Sequence, residues 1–355
     1  KQSLSSFNQF INDFSENNET LSYHGRITYI EGGVHMTTVA LFYDNVRTIN
    51  EYTKWHMHGH VVDLAMRLTV QKRMFEPQVY DETKQQIKRH THILSKARYD
   101  HVISHALIAR AHVEPSITRL IDHVFLKVRQ LRDFPLAHNA SLYQAAIYYE
   151  REPYVNEERL RDILHFLQQL TPYNAKPCVY QAAALAKVPK PLTDIQKHVL
   201  ATQTFLIERQ FSPINAHITA VMAYVLSSNV KQTAANVETF KVHLEKLTAL
   251  RPIYESYMWI IATKYDAWTA IEYYEQLEQQ LRRLPVNFSA QTDVTLLALQ
   301  LFSATVLDHT ETLYGGEVSN DILYDFTNAC DDISKGDGLY IYSEGDSYVD
   351  SGDGE

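Results

Sequence analysis

Apolar side chains recur through the middle of this chain at the i, i+3, i+4, i+7 spacing of one helical face. In SITRLIDHVFLKVRQL they are Ile117, Leu120, Ile121, Val124, Val128 and Leu131. In ERLRDILHFLQQL they are Leu160, Ile163, Leu164 and Leu167, and in NVETFKVHLEKLTAL they are Val237, Phe240, Leu244 and Leu247. Such spacing predicts amphipathic helices, each with a single stripe to bury. Alanine-rich segments alternate with them: SLYQAAIYYE, CVYQAAALAK, AHITAVMAYV and ESYMWIIATKY. Small side chains allow close approach, so these are predicted as inner helices and the amphipathic ones as an outer layer. The buried stripe expected in the first is Leu142, Ala145, Ala146 and Tyr149, and in the second Val179, Ala182, Ala183 and Ala186.

Proline punctuates the pattern twice per unit. One series runs Pro135, Pro172, Pro213, Pro252, Pro285, and a second runs Pro115, Pro153, Pro191. Proline interrupts helices and biases the preceding residue away from the helical region. Two stops in a period near 38 residues imply two helices per unit, and Tyr-Gln-Ala-Ala recurs at Tyr143 and Tyr180. The fold class expected is therefore all-α, with stacked helical hairpins in an α-solenoid-like array. The expected organisation is an N-terminal helical segment over 1–50, a hairpin body over 51–310 and an acidic, mostly irregular tail over 311–355.

Composition narrows the function classes. Hydrophobic residues make up 45% of 355, enough for a sizeable core, while 11 glycines and 11 prolines are few for a turn-rich β fold. Net charge is −9, but eight acidic residues against Lys335 after position 330 account for −7, leaving −2 for the rest. That balance speaks against a nucleic-acid partner, which requires a basic face. Cys178 and Cys330 form no CxxC pattern, so neither a disulfide framework nor a cysteine zinc cluster is expected, and a reducing cytoplasm is the natural setting. No apolar run reaches membrane-spanning length.

The succession KWHMHGHVVDLAMRL, HVISHALIARAHVEP and YQAAIYYE, over roughly 45–285, resembles a family of uncharacterised helical proteins of Gram-positive bacteria. The resemblance implies a helical, cytoplasmic bacterial protein. It carries no catalytic residue and no cofactor.

Candidate chemistry lies in the histidines. On a helix, His56 and His60 fall one turn apart and Asp63 follows on the same stripe, a set that could hold zinc or iron. Met57 stands where a His-Glu-x-x-His metalloprotease has its general base, and Gly59 weakens a helix across the pair. A second one-turn pair, His101 and His105, has Asp100 beside it. Among 17 histidines such pairs arise readily by chance, so structural roles are the favoured reading and metal ligation the alternative.

A second candidate is a polar ladder. If the alanine stripes are buried, Gln144 and Gln181 point away from them at equivalent places in successive units, and Thr219 takes the next place. Stacked helices lie about 8–10 Å apart, and amides can both donate to and accept from a peptide backbone. Tyr148, one turn beyond Gln144, would add an aromatic platform. The function expected first is a non-enzymatic scaffold binding a protein or peptide, without cofactor. The alternative is a metal-binding protein or metalloenzyme centred on His56, His60 and Asp63.

Overall fold

The computed structural model describes residues 34–54, 58–93, 95–131, 140–150, 152, 155–170, 179–211, 213–226, 228–286, 293–306 and 324. Chain contacts divide into Lys1–Val34 and His35–Glu355, and the described helices belong to the second unit, α1 starting on the last residue of the first. The described residues are helical, with no strand among them. The helices are α1 (Val34–Thr53), α2 (His58–Val70), α3 (Pro77–His90), α4 (Lys96–Tyr99), α5 (His101–Ala111), α6 (Ile117–Gln130), α7 (Ala140–Tyr148) and α8 (Glu157–Leu170). They continue as α9 (Val179–Lys187), α10 (Leu192–Glu208), α11 (Pro213–Val225), α12 (Val230–Leu244), α13 (Pro252–Ala262), α14 (Ala267–Arg283) and α15 (Val294–Val306). None of them is long and apolar enough to cross a membrane.

Two kinds of helix alternate, as the periodicity predicts. In α5, α9 and α15 nearly every residue is buried, from Val102 to Ala109, Val179 to Leu185 and Thr295 to Ala304. A helix that is apolar on all sides has neighbours on all sides. The outer helices bury one stripe: Leu120, Ile121, Val124, Phe125 and Val128 in α6, and Leu160, Ile163, Leu164 and Leu167 in α8. Leu247, assigned by spacing to the α12 stripe, lies beyond that helix and is 56% exposed.

Capping explains where several helices begin. The Ser116 hydroxyl accepts from Arg119 N, the Asn229 amide oxygen from Gln232 N, and the Asp266 carboxylate from Trp268 N and Thr269 N. Each satisfies a backbone donor left over in the first turn. Pro77, Pro213 and Pro252 are first residues of helices rather than stops, because a fixed φ suits the first turn and no N–H is lost there.

The inner helices touch in chain order: α2 on α5, α5 on α7, α7 on α9, α9 on α11, α11 on α13, α13 on α15. Then α15 packs against α2, a contact that an open solenoid does not make. The division at 50/51 cuts through α1, and of the tail at 311–355 only Tyr324 is described, buried at 5% exposure.

Two buried side chains fix α2, α3 and α5 together. Asn45 of α1 donates from Nδ2 to Arg73 O at 2.9 Å and accepts at Oδ1 from Phe75 N at 2.8 Å, clamping the α2–α3 turn. His112, just after α5, has Nδ1 on Ile108 O at 2.7 Å and accepts at Nε2 from Glu76 N at 3.0 Å, tying the end of α5 to the start of α3.

Candidate metal centre

Adjacent inner helices α2 and α5 bring three imidazoles together. His60 lies in the first turn of α2, and His101 and His105 are one turn apart on α5. Asp100 sets the start of α5, its carboxylate accepting from Val102 N at 3.0 Å and Ile103 N at 3.3 Å. The His60 and His101 rings stack with centroids 3.6 Å apart, and His105 stands edge-on to His60 at 5.9 Å. One ring nitrogen from each residue falls within 4.8 Å of the other two. An ion bonded at about 2.0–2.1 Å to each nitrogen holds its ligands nearer together than that. Half-buried His60 and exposed His101 have room to make this adjustment, while His105 is 1% exposed and held in place.

The fixing group is Asp63. Its Oδ2 lies 2.6 Å from His105 Nδ1 and accepts from Arg67 Nε at 3.3 Å, and its Oδ1 accepts from the Tyr324 hydroxyl at 3.4 Å. The Arg67 guanidinium lies 5.3 Å from the centre of the Tyr324 ring. Burial pushes the Asp63 carboxyl up, but Arg67 and His105 outweigh it and hold it well below the usual carboxylate range. With Nδ1 committed to Asp63, His105 offers Nε2 to an ion. This carboxylate–histidine pairing orients the ring and raises its basicity in metal sites generally.

His101 and His105 are held ready as neutral ligands. His101 reaches solvent with part of its ring, yet desolvation of the rest lowers its pKa to about 4, with His60, His105 and Lys84 acting in the same direction and Asp63 against it. Burial also lowers His105, against the opposing pull of Asp63. A neutral imidazole is the form that binds metal.

Of the set His56, His60 and Asp63 read from spacing, the structure brings His60 into the cluster and places Asp63 behind His105 as its orienting partner. His56 lies outside the described residues. The pair His101 and His105, assigned structural roles from sequence, supplies the other two imidazoles. The missed signal was the step between the pairs: His60 to His101 and Asp63 to His105 are separated by 41 and 42 residues, near the spacing of the proline series.

The polar ladder is corrected. Gln144 is 3% exposed, and Gln181 and Thr219 are fully buried, so none is presented to a peptide. Tyr148 is half-buried, with Lys187 Nζ 4.3 Å from its ring centre, and is no open platform. Asp63, His105, Gln144, Gln181, Thr219, Tyr257 and Gln300 follow at steps of 37 to 43 residues, one per inner helix. The pairs His105–Asp63 and Gln300–Tyr257 at its two ends are hydrogen-bonded, the latter at 3.2 Å. No family model, curated protein or solved structure matches the chain.

Proposed function

We propose that this chain is a metal-binding helical protein whose centre is His60, His101 and His105, with Asp63 orienting His105. The single observation that carries this reading is the convergence of three imidazole nitrogens within 4.8 Å across two helices. Imidazole ligands suit zinc, copper, iron or nickel. Three imidazoles among the described residues are one ligand short of a closed tetrahedral site, as in catalytic rather than structural zinc sites. The resemblance to the Gram-positive helical family brings no residue role to this reading. The test is metal analysis of the full chain purified without a nickel column. One equivalent of a transition metal per chain is expected in the parent, and less than a tenth of that in a His60→Ala, His101→Ala variant of unchanged helicity. Equal metal content in the two would overturn the proposal.

We read the succession of inner helices, with its return from α15 to α2, as hairpins of period near 38 stacked and closed on themselves rather than an open solenoid. An interaction scaffold remains the second reading, favoured by apolar side chains on outer helices: Leu200 and Ile207 on α10, Val242 on α12 and Trp268 on α14, the last 73% exposed. Replacing Trp268 and Leu200 by serine should abolish capture of any protein partner that the parent retains, and unchanged capture excludes this face.

A further inference from the structure

A cavity of about 740 Å³ lies beside α6, towards the end of α5 remote from the histidines. That volume is within the roughly 300–1,000 Å³ usual for a small-molecule site. Two groups of side chains line it: Arg119, His123 and Lys127 from α6, and Glu114, Glu150 and Glu152 from the segments before α6 and after α7. Each step of four residues turns an α-helix about 40° beyond a full revolution, so the α6 stripe runs from the surface inwards. Arg119 is exposed, His123 half-buried and Lys127 only 2% exposed. The carboxylates have their cations. Arg110 Nη2 lies 3.0 Å from Glu114 Oε1 and 2.6 Å from Glu150 Oε1, and Lys187 Nζ lies 2.8 Å from Glu152 Oε1. The α6 stripe has no such partners: among the described residues, the side chains of Arg119, His123 and Lys127 make no hydrogen bond or ion pair. A buried ammonium without an anion is costly, and burial lowers the Lys127 pKa against the pull of Glu152. Packing of an aliphatic stem explains one buried lysine. It does not explain three nitrogen-bearing side chains in register along one cavity.

We propose that this cavity binds the phosphate ester of a small polyol or sugar, with the phosphate on Arg119, His123 and Lys127 and the hydroxyls on the carboxylate side. A guanidinium fork and an ammonium together suit a phosphate dianion, and the positive end of α6 adds to their field. Ionised carboxylates accept from hydroxyls, which gives the glutamates a role that a bare anion leaves empty. The inference is independent of the metal reading and uses none of its residues.

Calorimetric titration of the full chain tests it with glycerol 3-phosphate, ribose 5-phosphate and glucose 6-phosphate, against inorganic phosphate and free ribose. Saturable binding of at least one ester is expected, about tenfold tighter than inorganic phosphate, and no binding of ribose. Lys127→Met should weaken that ester at least tenfold, which is 1.4 kcal/mol. The melting midpoint of the unliganded variant should stay level or rise, because packing replaces an unpaired buried cation. Arg119→Gln, a change at an exposed position, should weaken binding by a similar factor without moving the midpoint, and it decides the matter alone if Lys127→Met does not fold. The His60→Ala, His101→Ala variant should bind the ester as the parent does. No binding of any ester by the parent overturns the inference. Undiminished affinity in Arg119→Gln and Lys127→Met places the ester elsewhere and overturns it too, as does loss of binding in the histidine variant. Inorganic phosphate held as tightly as the ester overturns the ligand class.

Discussion

Acid should destabilise this protein through His217, a buried histidine outside the candidate metal centre. His217 lies on α11, is 2% exposed, and its Nδ1 has no hydrogen-bond partner. Ala216, Ile218, Ala220 and Val221 beside it are buried as well. Burial lowers its pKa to about 4, against roughly 6.5 in an unfolded chain. Between those values the unfolded chain holds a proton that the folded one rejects. Stability from the neutral imidazole is therefore complete above about pH 6.5, falls as pH drops through the window, and is exhausted near pH 4. At about 1.4 kcal/mol per pH unit the full loss is roughly 3 kcal/mol, of which roughly 2 is spent by pH 5. Urea unfolding of the parent and His217→Leu at pH 7.5 and pH 5 measures this directly. Leucine has similar bulk and no proton to take up. Any offset between the variants cancels when each is compared with itself at the two pH values. His101, His105 and His112, also lowered by burial, remain in both proteins and cancel too. The parent should lose about 2 kcal/mol more than the variant on acidification. Equal losses would show that His217 is hydrated or reorients to find a partner, and that the burial argument is wrong.

Other outcomes follow from the same structure. Asp63→Asn removes the acceptor that orients His105, so zinc affinity measured by competition with a chelator should fall by about 10- to 100-fold; a change under twofold would mean that Asp63 orients nothing. Gln181→Ala should cost about 1–3 kcal/mol in urea unfolding, because Gln181 is fully buried and shortening it leaves a cavity in the core; a neutral result would place it in solvent. Glu255→Leu should cost about 3 kcal/mol or more, since Glu255 is buried against Lys241 and accepts from Asn215 Nδ2 at 2.8 Å, and both partners would lose their anion. A variant as stable as the parent would show that the charge pair is replaceable by packing alone.

The helices were legible because their causes are local. A stripe such as Leu160, Ile163, Leu164 and Leu167 encodes its own helix and its buried face, and each of the four is buried. The alanine-rich segments announced an inner layer, and Leu142, Ala145, Ala146 and Tyr149 are buried as their spacing required. Proline was readable as punctuation but ambiguous in sense, since Pro213 and Pro252 start helices rather than end them.

What the chain could not show from periodicity is which inner helices touch across the array. An α-helical pattern specifies a face, and the face says nothing about the identity of its partner. The contact of α15 with α2 joins segments more than 220 residues apart and makes the inner surface a core, which is why Gln144, Gln181 and Thr219 are buried instead of lining a groove. The candidate metal centre is the same case. His101 and His105 were visible as a pair, but two histidines one turn apart recur by chance in a histidine-rich chain. Only the packing of α2 on α5 places His60 against them and puts Asp63 behind His105. Sequence determined the helices, their layers and the candidate side chains, because those depend on neighbours within a few turns. Tertiary structure decided the contact of α15 with α2, the burial of the ladder and the meeting of the imidazoles, because each depends on distances between residues that the chain itself keeps far apart.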